Sequence, residues 1–523
     1  METARLIDAL SLPEAYPHPV DSIRVLQTHI SVVFLTGCFV YKIKKPVRMN
    51  FLDFTTLEQR HHFCQREVAL NRRLAPSVYV DVVPITQQNG TLRIGGTGPV
   101  VDWAVKMRQL PEGNTLLAHL ERGTLTSEML KALGKRVATF HARAESDPKL
   151  ALLGRAEAVL KNALENFEQS RGAIGVTVHP AVLDRLEKLT RDLGETLRPL
   201  MDQRVAEGRI RDTHGDLRLD HVYLSPNATP PDDITIIDCI EFNDAFRYAD
   251  PVADIAFLAM DLGYRGRQDL ADLLTQAYFH HAHDPAGLRL LPFYVAYRSV
   301  VRAKVDSFQL SDPAISQAFR DQAANKAKAH WLFALATLEA PAHRPCLVCV
   351  CGLPGSGKSV LARGLGEQAG FEVLRTDVIR KELASALALR EASDLYSTSM
   401  TDRVYAECRR RAGDFLFAGK RVLVDANFPL QHQRREMASL ARSLGVPFCL
   451  FHCQVPEEVA LARIRGRTGD ASDADQEIYH RQARRWEPLQ TVEQSRSHII
   501  NTHCGMEEMV RAGMDALRQR GLA

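Results

Sequence analysis

The stretch THGDLRLDHVYL, residues 213–224, contains side chains that suit proton transfer beside a cation. Asp216 follows His214 on a segment that we interpret as a loop, and Asp238 comes later, at the end of the apolar run ITII. A loop aspartate can orient an attacking hydroxyl and accept its proton, whereas a strand-end aspartate can hold a metal ion between phosphates. The pattern therefore predicts Asp216 as a catalytic base and Asp238 as a metal ligand.

His221 is a candidate second metal ligand, because it lies on the same loop as Asp216. Imidazole nitrogen suits Mg²⁺ less well than oxygen does, so a carboxylate near Asp238 is an alternative, and Glu241 is the nearest one. Asp250 and Asp254, in YADPVADIAF, are interpreted as turn and helix-start residues.

A lysine that binds phosphates and a glutamate that fixes it are also expected. FVYKIKK offers Lys42 and Lys44, which share one face of a strand by its two-residue period. We prefer Lys42, because Val40 two residues earlier provides a small apolar surface for adenine. Glu67 is the predicted partner, since it lies on the apolar face of its helix and a carboxylate there usually has a cationic partner.

The stretch GLPGSGKS matches the Walker A pattern G-x-x-x-x-G-K-[ST] in full, between an apolar strand and a helix. Glycines let backbone N–H groups close around phosphate oxygens, and the helix N-terminus favours the anion. Lys358 is expected to reach the β- and γ-phosphates and the Ser359 hydroxyl to ligate Mg²⁺. The predicted nucleotide-binding residues of this loop are Gly352, Pro354, Gly355, Ser356, Gly357, Lys358 and Ser359.

Two aspartates follow predicted strands of the same region. Asp377, in VLRTDVIRKEL, comes after the second strand, and Asp425, in RVLVDANFP, ends the third. In a parallel sheet both lie at the edge that carries the phosphate loop, so one can orient the metal and the other can accept a proton. Arg463 and Arg467, in ALARIRGRTGD, are candidates to stabilise a transferring phosphoryl group from a closing lid.

Both strands and helices are predicted in the part of the chain that carries Lys42, Glu67, Asp216 and Asp238. THISVVFLTGCFVYKIKKP predicts two strands meeting at a turn near Gly37, TTLEQRHHFCQREVALNRRLAP a helix, and GPVVDWAVKMRQLP another strand. Helices, a short β-rich region and more helices follow, to about residue 338. A β-rich start and a helical remainder predict an α+β arrangement of two lobes with a cleft between them.

The second half alternates regularly. Strands at CLVCVC, FEVLR, RVLVD, PFCLFHC and HIIN are separated by helical segments, which predicts a three-layer α/β domain with a parallel sheet. Pro341 and Pro345 interrupt the helical pattern between the halves. We therefore divide the chain into residues 1–338, a linker at 339–345, and residues 346–523.

Composition limits the class of protein. The chain has 523 residues, a formal net charge of +3, 45% hydrophobic and 25% charged residues, so two or three soluble domains are expected and no membrane partner is indicated. The start lacks a secretory pattern and no long apolar run is present, which favours the cytoplasm. Arginines at 409–411 and 484–485 leave nucleic acid open as a partner, although a solvated helix face is the favoured interpretation.

The second half resembles the small P-loop kinases of the polynucleotide kinase, gluconate kinase and zeta-toxin type, over roughly residues 346–500. GLPGSGKS, RTD, VDANF and the arginine-rich lid region carry this resemblance. It implies ATP- and Mg²⁺-dependent phosphoryl transfer, with Asp377 as the substrate-side base. It does not choose between a sugar, a nucleotide and a polynucleotide as acceptor.

The first half resembles the aminoglycoside phosphotransferase family, whose fold is related to protein kinases, over roughly residues 30–300. HGDLRLDHVYL and IIDCIEFN carry the match, and VYKIKK and REVALNRRL support it. The resemblance implies ATP- and Mg²⁺-dependent phosphorylation of a small molecule, with adenine near WAVKMRQLP and residues 107–109, beginning at Met107, as the connection between lobes. His221 in place of a metal-binding asparagine, and a single glycine, Gly37, in place of a glycine-rich loop, are departures from that pattern.

Two hypotheses follow for the whole chain. In the first, both halves are ATP-dependent phosphotransferases acting on hydroxyls of small-molecule acceptors. In the second, only the P-loop half transfers phosphate, and the first half is a non-catalytic module that binds a ligand and regulates it.

Overall fold

The computed structural model describes residues 3–49, 52–225, 228–229, 233–311, 316–387, 395–466, 475–494 and 496–523. Its contacts divide the chain into two compact units, each assembled from several segments. The first unit comprises Met1–Val159, Thr196–Gly263 and Arg267–Tyr294. The second unit comprises Leu160–Glu195, Tyr264–Gly266 and Val295–Ala523.

The strands alternate with helices throughout the second half but cluster near the start of the first. The strands are β1 Arg24–Gln27, β2 Ser31–Leu35, β3 Phe39–Lys44, β4 Arg48–Met49, β5 Leu52–Asp53, β6 Tyr79–Gln88, β7 Thr91–Ile94, β8 Val100–Arg108, β9 Arg211–Asp212, β10 Val222–Leu224, β11 Ile234–Ile236, β12 Tyr248–Ala249, β13 Leu347–Cys351, β14 Glu372–Arg375, β15 Val422–Asp425, β16 Phe448–Gln454 and β17 Ser497–Asn501.

Helices make up most of the rest of the described chain. The α-helices are α1 Thr3–Leu10, α2 Leu57–Asn71, α3 Leu116–Arg122, α4 Ser127–Arg143, α5 Ala156–Gln169, α6 Pro180–Ala206, α7 Val252–Tyr264, α8 Gln268–Ala282, α9 Leu291–Phe308, α10 Gln317–Leu338, α11 Lys358–Ala369, α12 Thr376–Ala386, α13 Thr398–Phe417, α14 Gln431–Ser443, α15 Glu457–Arg465, α16 Gln476–Arg485, α17 Thr491–Gln494 and α18 Met506–Gln519. None of the described helices has the length and apolar character needed to cross a membrane.

The first unit contains a six-stranded sheet in the order β1-β2-β3-β8-β6-β7, in which every pairing is antiparallel. Gly37, with φ +92°, allows the tight turn between β2 and β3. The strands and the helix predicted from residues 28–76 are confirmed as β2, β3 and α2. The two-residue period of β3 places Tyr41 and Ile43 in one buried cluster, whereas Val40 packs with α2 residues on the other face.

The second unit contains a five-stranded parallel sheet in the order β14-β15-β13-β16-β17. Alternate residues of β13 enter two separate cores: Cys349 and Cys351 on one face, Val348 and Val350 on the other. Helices α12, α13 and α14 contribute to the first core and α11 and α18 to the second. The predicted parallel sheet covered by helices is therefore confirmed.

Helical segments that precede residue 346 also pack in the second unit. Val182 of α6 and Leu335 of α10 share a buried cluster with Leu347 and Val424 of the sheet. Gly419 allows this approach, because a Cβ atom there would lie 2.9 Å from a Val182 methyl group. The two compact units therefore do not coincide with the two halves that we divided at residues 339–345. That boundary, drawn from the sequence alone, stays a prediction.

Candidate active sites

The phosphate loop connects the end of β13 to the start of α11. Gly352, Gly355 and Gly357 all have positive φ, at +142°, +79° and +83°. A Cβ atom on Gly355 would lie 2.5 Å from the Ala460 carbonyl oxygen, so only glycine fits there. The loop, with Pro354 buried at its centre, is therefore a tight glycine-dependent turn, and loops of this kind can surround an anion with their backbone N–H groups.

Two polar side chains of this loop, those of Lys358 and Ser356, bear on whether the loop can bind an anion. The Lys358 Nζ donates to the Leu353 carbonyl at 2.9 Å, so the ammonium folds across the loop. Within the described residues, the buried Ser356 Oγ has no hydrogen-bond partner. A buried hydroxyl normally has one, so the loop contains polar capacity that a bound anion can use.

The acidic edge of the site lies beside the loop. Val350 of β13 and Arg375 of β14 are both in register with Asp425, which ends β15, so the three strands end at one edge. The Ser359 hydroxyl donates to the Asp425 carboxylate, and the Arg375 Nε lies 3.3 Å from it. Burial raises the pKa of Asp425, although Lys358 opposes that shift.

Asp377 lies in the first turn of α12, partly exposed and close enough to Asp425 for their charges to repel. Thr376 ties the start of this helix to the same strand end, since its hydroxyl donates to the Asp425 carbonyl at 3.2 Å. The structure therefore brings Asp377, Asp425, Lys358 and Ser359 to one sheet edge.

The side chain of Arg463, on α15, contacts a backbone carbonyl of the phosphate loop. Its guanidinium donates to the Thr502 carbonyl at 2.7 Å and to the Gly355 carbonyl at 3.4 Å. Thr502 in turn donates its hydroxyl to the Ser356 carbonyl at 2.7 Å. In this geometry Arg463 supports the loop from outside. Arg467, the other predicted lid arginine, lies outside the described residues.

A cavity of about 510 Å³ opens beside the phosphate loop. Its lining includes Leu353 and Ser356 of the loop and His452, Gln454, Tyr479 and Trp486. The His452 and Trp486 rings are stacked, with centroids 4.9 Å apart. Burial, with the positive charge of Arg434 and Lys358, lowers the pKa of His452 to about 4, so the cavity wall is uncharged at neutral pH.

The first unit contains a buried ionic cluster around Glu67. The Glu67 Oε1 lies 2.8 Å from the Lys42 Nζ, and Oε2 accepts from the Lys44 Nζ at 2.8 Å. Burial opposes ionisation of Glu67, but the two lysines outweigh it and lower its pKa. The predicted pairing of Lys42 with Glu67 is present in the structure, and Lys44 shares the same carboxylate.

The acidic segment after β11 completes this cluster. The Lys42 Nζ donates to Asp238 Oδ1 at 2.6 Å, and the Lys44 Nζ donates to Glu241. Asp238 has φ +65°, a conformation that non-glycine residues rarely adopt, and its N–H donates to the Tyr79 hydroxyl at 3.1 Å. Burial raises the pKa of Asp238, but Lys42 and then His221 outweigh it, and the result is a pKa well below the usual range.

Glu241, the alternative metal ligand named from the sequence, is paired with a lysine in the structure. Its carboxylate is buried and paired with Lys44, so it is not available to share a cation with Asp238. Releasing it would take away one of the two carboxylates that pair with the buried Lys44, whose other partner is Glu67, and separating a buried ion pair is costly. The role of Glu241 as an alternative metal ligand therefore stays a prediction, and the structure shows its carboxylate paired with Lys44.

The loop that carries Asp216 is held by an aspartate that we interpreted only as a helix-start residue. The Asp254 carboxylate accepts from the His214 N–H at 2.7 Å and from the Gly215 N–H at 2.8 Å. It also lies 3.1 Å from the buried His141 Nε2. Asp254 is fully buried, and a buried carboxylate needs hydrogen-bond partners of this kind.

His214 itself is neutral and oriented. Its Nε2 contacts the Ile237 carbonyl at 2.9 Å, and its Nδ1 accepts from the Asp216 N–H at 3.4 Å. Burial lowers the pKa of His214 to about 4. The backbone around Asp216 is therefore fixed by a histidine in one tautomer.

Asp216 and Asp238 lie on either side of His221. The His221 Nδ1 lies 2.9 Å from the Asp216 carbonyl oxygen and 3.7 Å from its carboxylate, while Nε2 lies 3.6 Å from Asp238 Oδ2. Arg218, which sequence reasoning missed, lies 3.9 Å from Asp216. No described group of three or more His, Cys, Asp or Glu side chains is arranged to hold a metal ion by itself.

Met107, predicted near adenine, lies in β8 opposite Val40 and Tyr79 and is buried with them. Directly after β8, the Gln109 side chain accepts from the Gly37 N–H at 3.0 Å. The β2–β3 turn is therefore tied to the chain that leaves β8.

Comparison with known proteins identifies relatives of this chain. The profile of the AAA_33 family, described as AAA domain, matches residues 347–489. Over 469 residues the chain is 34% identical to "Uncharacterized protein Rv2004c" of Mycobacterium tuberculosis H37Rv and to "Uncharacterized protein Mb2027c" of Mycobacterium bovis, spanning 88% of this chain and 90% of each relative.

Solved structures are similar to about a third of the chain. A gluconokinase from Sinorhizobium meliloti 1021 is 17% identical and matches 34% of this chain and 94% of its own, with a TM-score of 0.27. The APS kinase CysC of Mycobacterium tuberculosis is 19% identical and matches 33% and 98%, with a TM-score of 0.25. Likeness at this level assigns no activity. The extended match to the two mycobacterial proteins does establish kinship: the chain belongs to their family and carries a P-loop domain of the AAA type in its second half.

Proposed function

We propose that the second unit is an ATP-dependent phosphotransferase that transfers the γ-phosphate to a hydroxyl of a small-molecule acceptor. One observation carries this proposal: the phosphate loop, Lys358, the Ser359–Asp425 pair and Asp377 meet at one edge of the parallel sheet. Ligands of open α/β sheets bind at this edge.

The loop residues bind and orient the phosphates. Backbone N–H groups around Gly355 and Gly357 surround the anion, and the N-terminus of α11 adds a favourable field. When a nucleotide binds, the Lys358 ammonium leaves the Leu353 carbonyl and donates to a phosphate oxygen instead. The flexible lysine side chain permits this movement. Arg463 keeps the loop in shape by holding the Gly355 carbonyl.

Ser359 and Asp425 are the residues that would hold Mg²⁺. Both offer oxygen atoms, which Mg²⁺ prefers, and they already contact each other beside Lys358. When bound, Mg²⁺ neutralises phosphate charge during transfer. Asp377 has the access that a base needs, since it is partly exposed at the start of α12 and can accept the proton of an acceptor hydroxyl.

We also propose a second phosphotransferase in the first unit, which makes the protein bifunctional. Lys42, fixed by Glu67, would bind the α- and β-phosphates, Asp238 would bind the metal, and Asp216 would accept the acceptor's proton. The support is that these four side chains, distant in sequence, lie in one connected cluster.

A second candidate function for the first unit is a non-catalytic module that binds a ligand and regulates the P-loop unit. The ion pair between Lys42 and Asp238 favours it, because that pair satisfies two groups that a nucleotide and its metal would otherwise use. Substitution Asp216→Asn separates the candidates: a regulatory module keeps every transfer activity, whereas a second kinase loses one product.

The acceptor that we propose is a small molecule rather than nucleic acid. Each arginine of the cluster at residues 409–411 is paired with acidic side chains, namely Glu382, Glu407, Asp414 and Glu436. Arginines that already pair with carboxylates offer less net positive charge to nucleic-acid phosphates than unpaired arginines do. Oligonucleotide binding that weakens steeply with added salt would contradict this choice.

The function is tested by incubating a metabolite extract with γ-labelled ATP and identifying labelled products by mass spectrometry. Lys358→Ala should remove the products of the second unit, and Asp216→Asn those of the first. Arg465→Ala, at an exposed residue of α15, is the matched control. If Lys358→Ala leaves every labelled product, the proposal for the second unit is wrong.

A further inference from the structure

The cavity beside the phosphate loop has an uncharged wall. No lysine, arginine, aspartate or glutamate of the described chain lines it. Burial lowers the pKa of His452 to about 4 and raises the pKa of Cys453 to about 12, so both wall residues are neutral near pH 7. Burial also raises the pKa of Tyr479. A charged ligand group would find no opposite charge in this wall, and burying a charge without a partner is costly.

The positive charge behind the wall already has partners. The Arg434 Cζ lies 5.8 Å from the centroid of the Trp486 ring, but the guanidinium is buried and its Nε lies 2.8 Å from the Glu493 carboxylate. It also donates to the carbonyls of Phe428 and Pro429. Arg434 therefore supports the ring from behind and does not make the cavity a site for anions.

The wall combines apolar surface with a few neutral polar groups. The stacked rings of His452 and Trp486 line the cavity, together with Ile499 of β17, which is 65% exposed. Ser356 lines it from the phosphate loop, and its buried hydroxyl has no hydrogen-bond partner within the described residues. Mostly apolar cavities with a few polar groups are typical of small-molecule sites, so this wall suits a neutral ring that carries hydroxyl groups.

The ammonium expected to hold the γ-phosphate lies between this cavity and the acidic edge of the sheet. The Lys358 Nζ donates at 2.9 Å to the carbonyl of Leu353, a residue of the cavity wall. After burial and Arg434, Lys358 is a further cause of the lowered pKa of His452, and it opposes the burial that raises the pKa of Asp425. A molecule in the cavity would therefore lie beside the phosphate to be transferred, which is the position that an acceptor needs.

We propose that this cavity binds the acceptor of the second unit, and that the acceptor is an uncharged alcohol whose apolar ring fills the cavity. This inference rests on the proposed phosphotransferase activity and adds the class of its substrate. The ring packs against Trp486 and Ile499, and the Ser356 hydroxyl gains the hydrogen-bond partner it lacks. In the transfer, the alcohol oxygen bonds to the γ-phosphorus as the bond to the β,γ-bridging oxygen breaks, ADP leaves, and Asp377 takes the alcohol proton.

The test uses a matched pair of probes, 2-phenylethanol and phenylacetate, which share a ring and a chain length but differ in charge. Saturation-transfer NMR titrations are run on the full chain with saturating β,γ-methylene ATP. We expect 2-phenylethanol to bind at least about ten-fold more tightly than phenylacetate. Trp486→Ala should weaken it by at least about ten-fold, with unchanged affinity for the nucleotide. Arg484→Ala, at an exposed residue of α16, is the matched control and should change neither affinity.

A second variant tests the charge of the wall without removing a packed ring. Gln454 lines the cavity from an exposed position at the end of β16, so a lysine fits there without disturbing the core. Gln454→Lys should shift the ratio of the two dissociation constants toward phenylacetate by at least about five-fold, because the new ammonium pairs with the carboxylate. A merely structural effect of the substitution would weaken both probes alike.

Three results overturn the inference: no binding of 2-phenylethanol, equal binding of the two probes, or binding that neither Trp486→Ala nor Gln454→Lys changes. Displacement of 2-phenylethanol by the nucleotide analogue also overturns it, since the cavity then holds part of the nucleotide. The proposed function is judged separately, by the labelled products lost in Lys358→Ala. It stands if those products are lost while the probes fail, and it falls if every product remains, even where the probes bind.

Discussion

Lys42 and Asp238 form an ion pair with 2.6 Å between Nζ and Oδ1, although 196 positions of sequence separate them. Glu67 lies 2.8 Å from the same ammonium and shares its carboxylate with Lys44. Three distant segments thus meet on one charge, so the cluster forms only when the first unit is folded. The contribution of each of these residues to the stability of the first unit can be measured by substituting it.

Substituting Glu67→Gln should destabilise the first unit strongly. Both lysines lose the carboxylate they share, and removing one partner of a buried ionic group typically costs about 3–5 kcal/mol. The free energy of unfolding, measured by urea titration, should fall by that amount. Glu58→Gln, at an exposed position of the same helix, should change it by less than about 0.5 kcal/mol. Equal effects of the two substitutions would contradict the role of Glu67.

Substituting Asp254→Asn should impair catalysis by the first unit more than nucleotide binding. The two Asp254 carboxylate oxygens accept from the N–H groups of His214 and Gly215, and the substitution replaces one of these oxygens by an NH₂ group, which cannot accept. The backbone before Asp216 therefore shifts. Misplacement by about 1 Å can cost roughly 100-fold in rate. We expect a fall in kcat of that order with a nearly unchanged KM for ATP. Asp272→Asn, on the surface of α8, should leave both constants unchanged, and an unaffected kcat in Asp254→Asn would rule out the positioning role.

Substituting Arg463→Ala should weaken nucleotide binding in the second unit. The change removes hydrogen bonds from a charged donor to the Gly355 and Thr502 carbonyls, which are worth about 1.5–3 kcal/mol. The dissociation constant of an ATP analogue should rise by at least about ten-fold. Arg465→Ala on the same helix is the control. A loss in kcat with unchanged nucleotide binding would instead favour the lid role predicted from the sequence.

Acid should destabilise the first unit through His214. Its pKa in the folded chain is lowered to about 4, below the ordinary value, so as the pH falls the unfolded chain takes up the proton first. The contribution to stability is therefore complete at neutral pH and is lost as the pH falls from about 6.5 to about 4. Between pH 7 and 5 the free energy of unfolding should drop by about 2 kcal/mol more than in His214→Gln. Parallel pH profiles for the two proteins would contradict this assignment.

Much of the second unit could be predicted from sequence, because its determinants are local. Apolar runs of strand length, each followed by a helical period, fix a parallel sheet, and GLPGSGKS fixes the loop after its first strand. Asp377 and Asp425 then fall at one edge by topology alone. That helices α6 and α10 pack against this sheet was not predictable, since an apolar stripe on a helix does not specify its partner.

In the first unit, the sequence identified charged residues more readily than it identified their pairing. The strand period placed Lys42 and Lys44 on one face, but whether Glu67 binds one or both depends on the angle between α2 and β3. Glu241 was named as an alternative metal ligand because of its nearness in sequence to Asp238, and its pairing with Lys44 could not be foreseen from that nearness. Asp254 was interpreted as a cap, because a carboxylate that accepts from a distant backbone leaves no local pattern.

The most direct test of two separate phosphotransferase sites is the number of nucleotides bound per chain. Isothermal titration with a non-hydrolysable ATP analogue should find two sites in the unmodified protein. Lys358→Ala should abolish only the site of the second unit, and Lys42→Ala only that of the first. A single site that Lys358→Ala abolishes would contradict nucleotide binding by the first unit and, with it, the proposal that both units transfer phosphate.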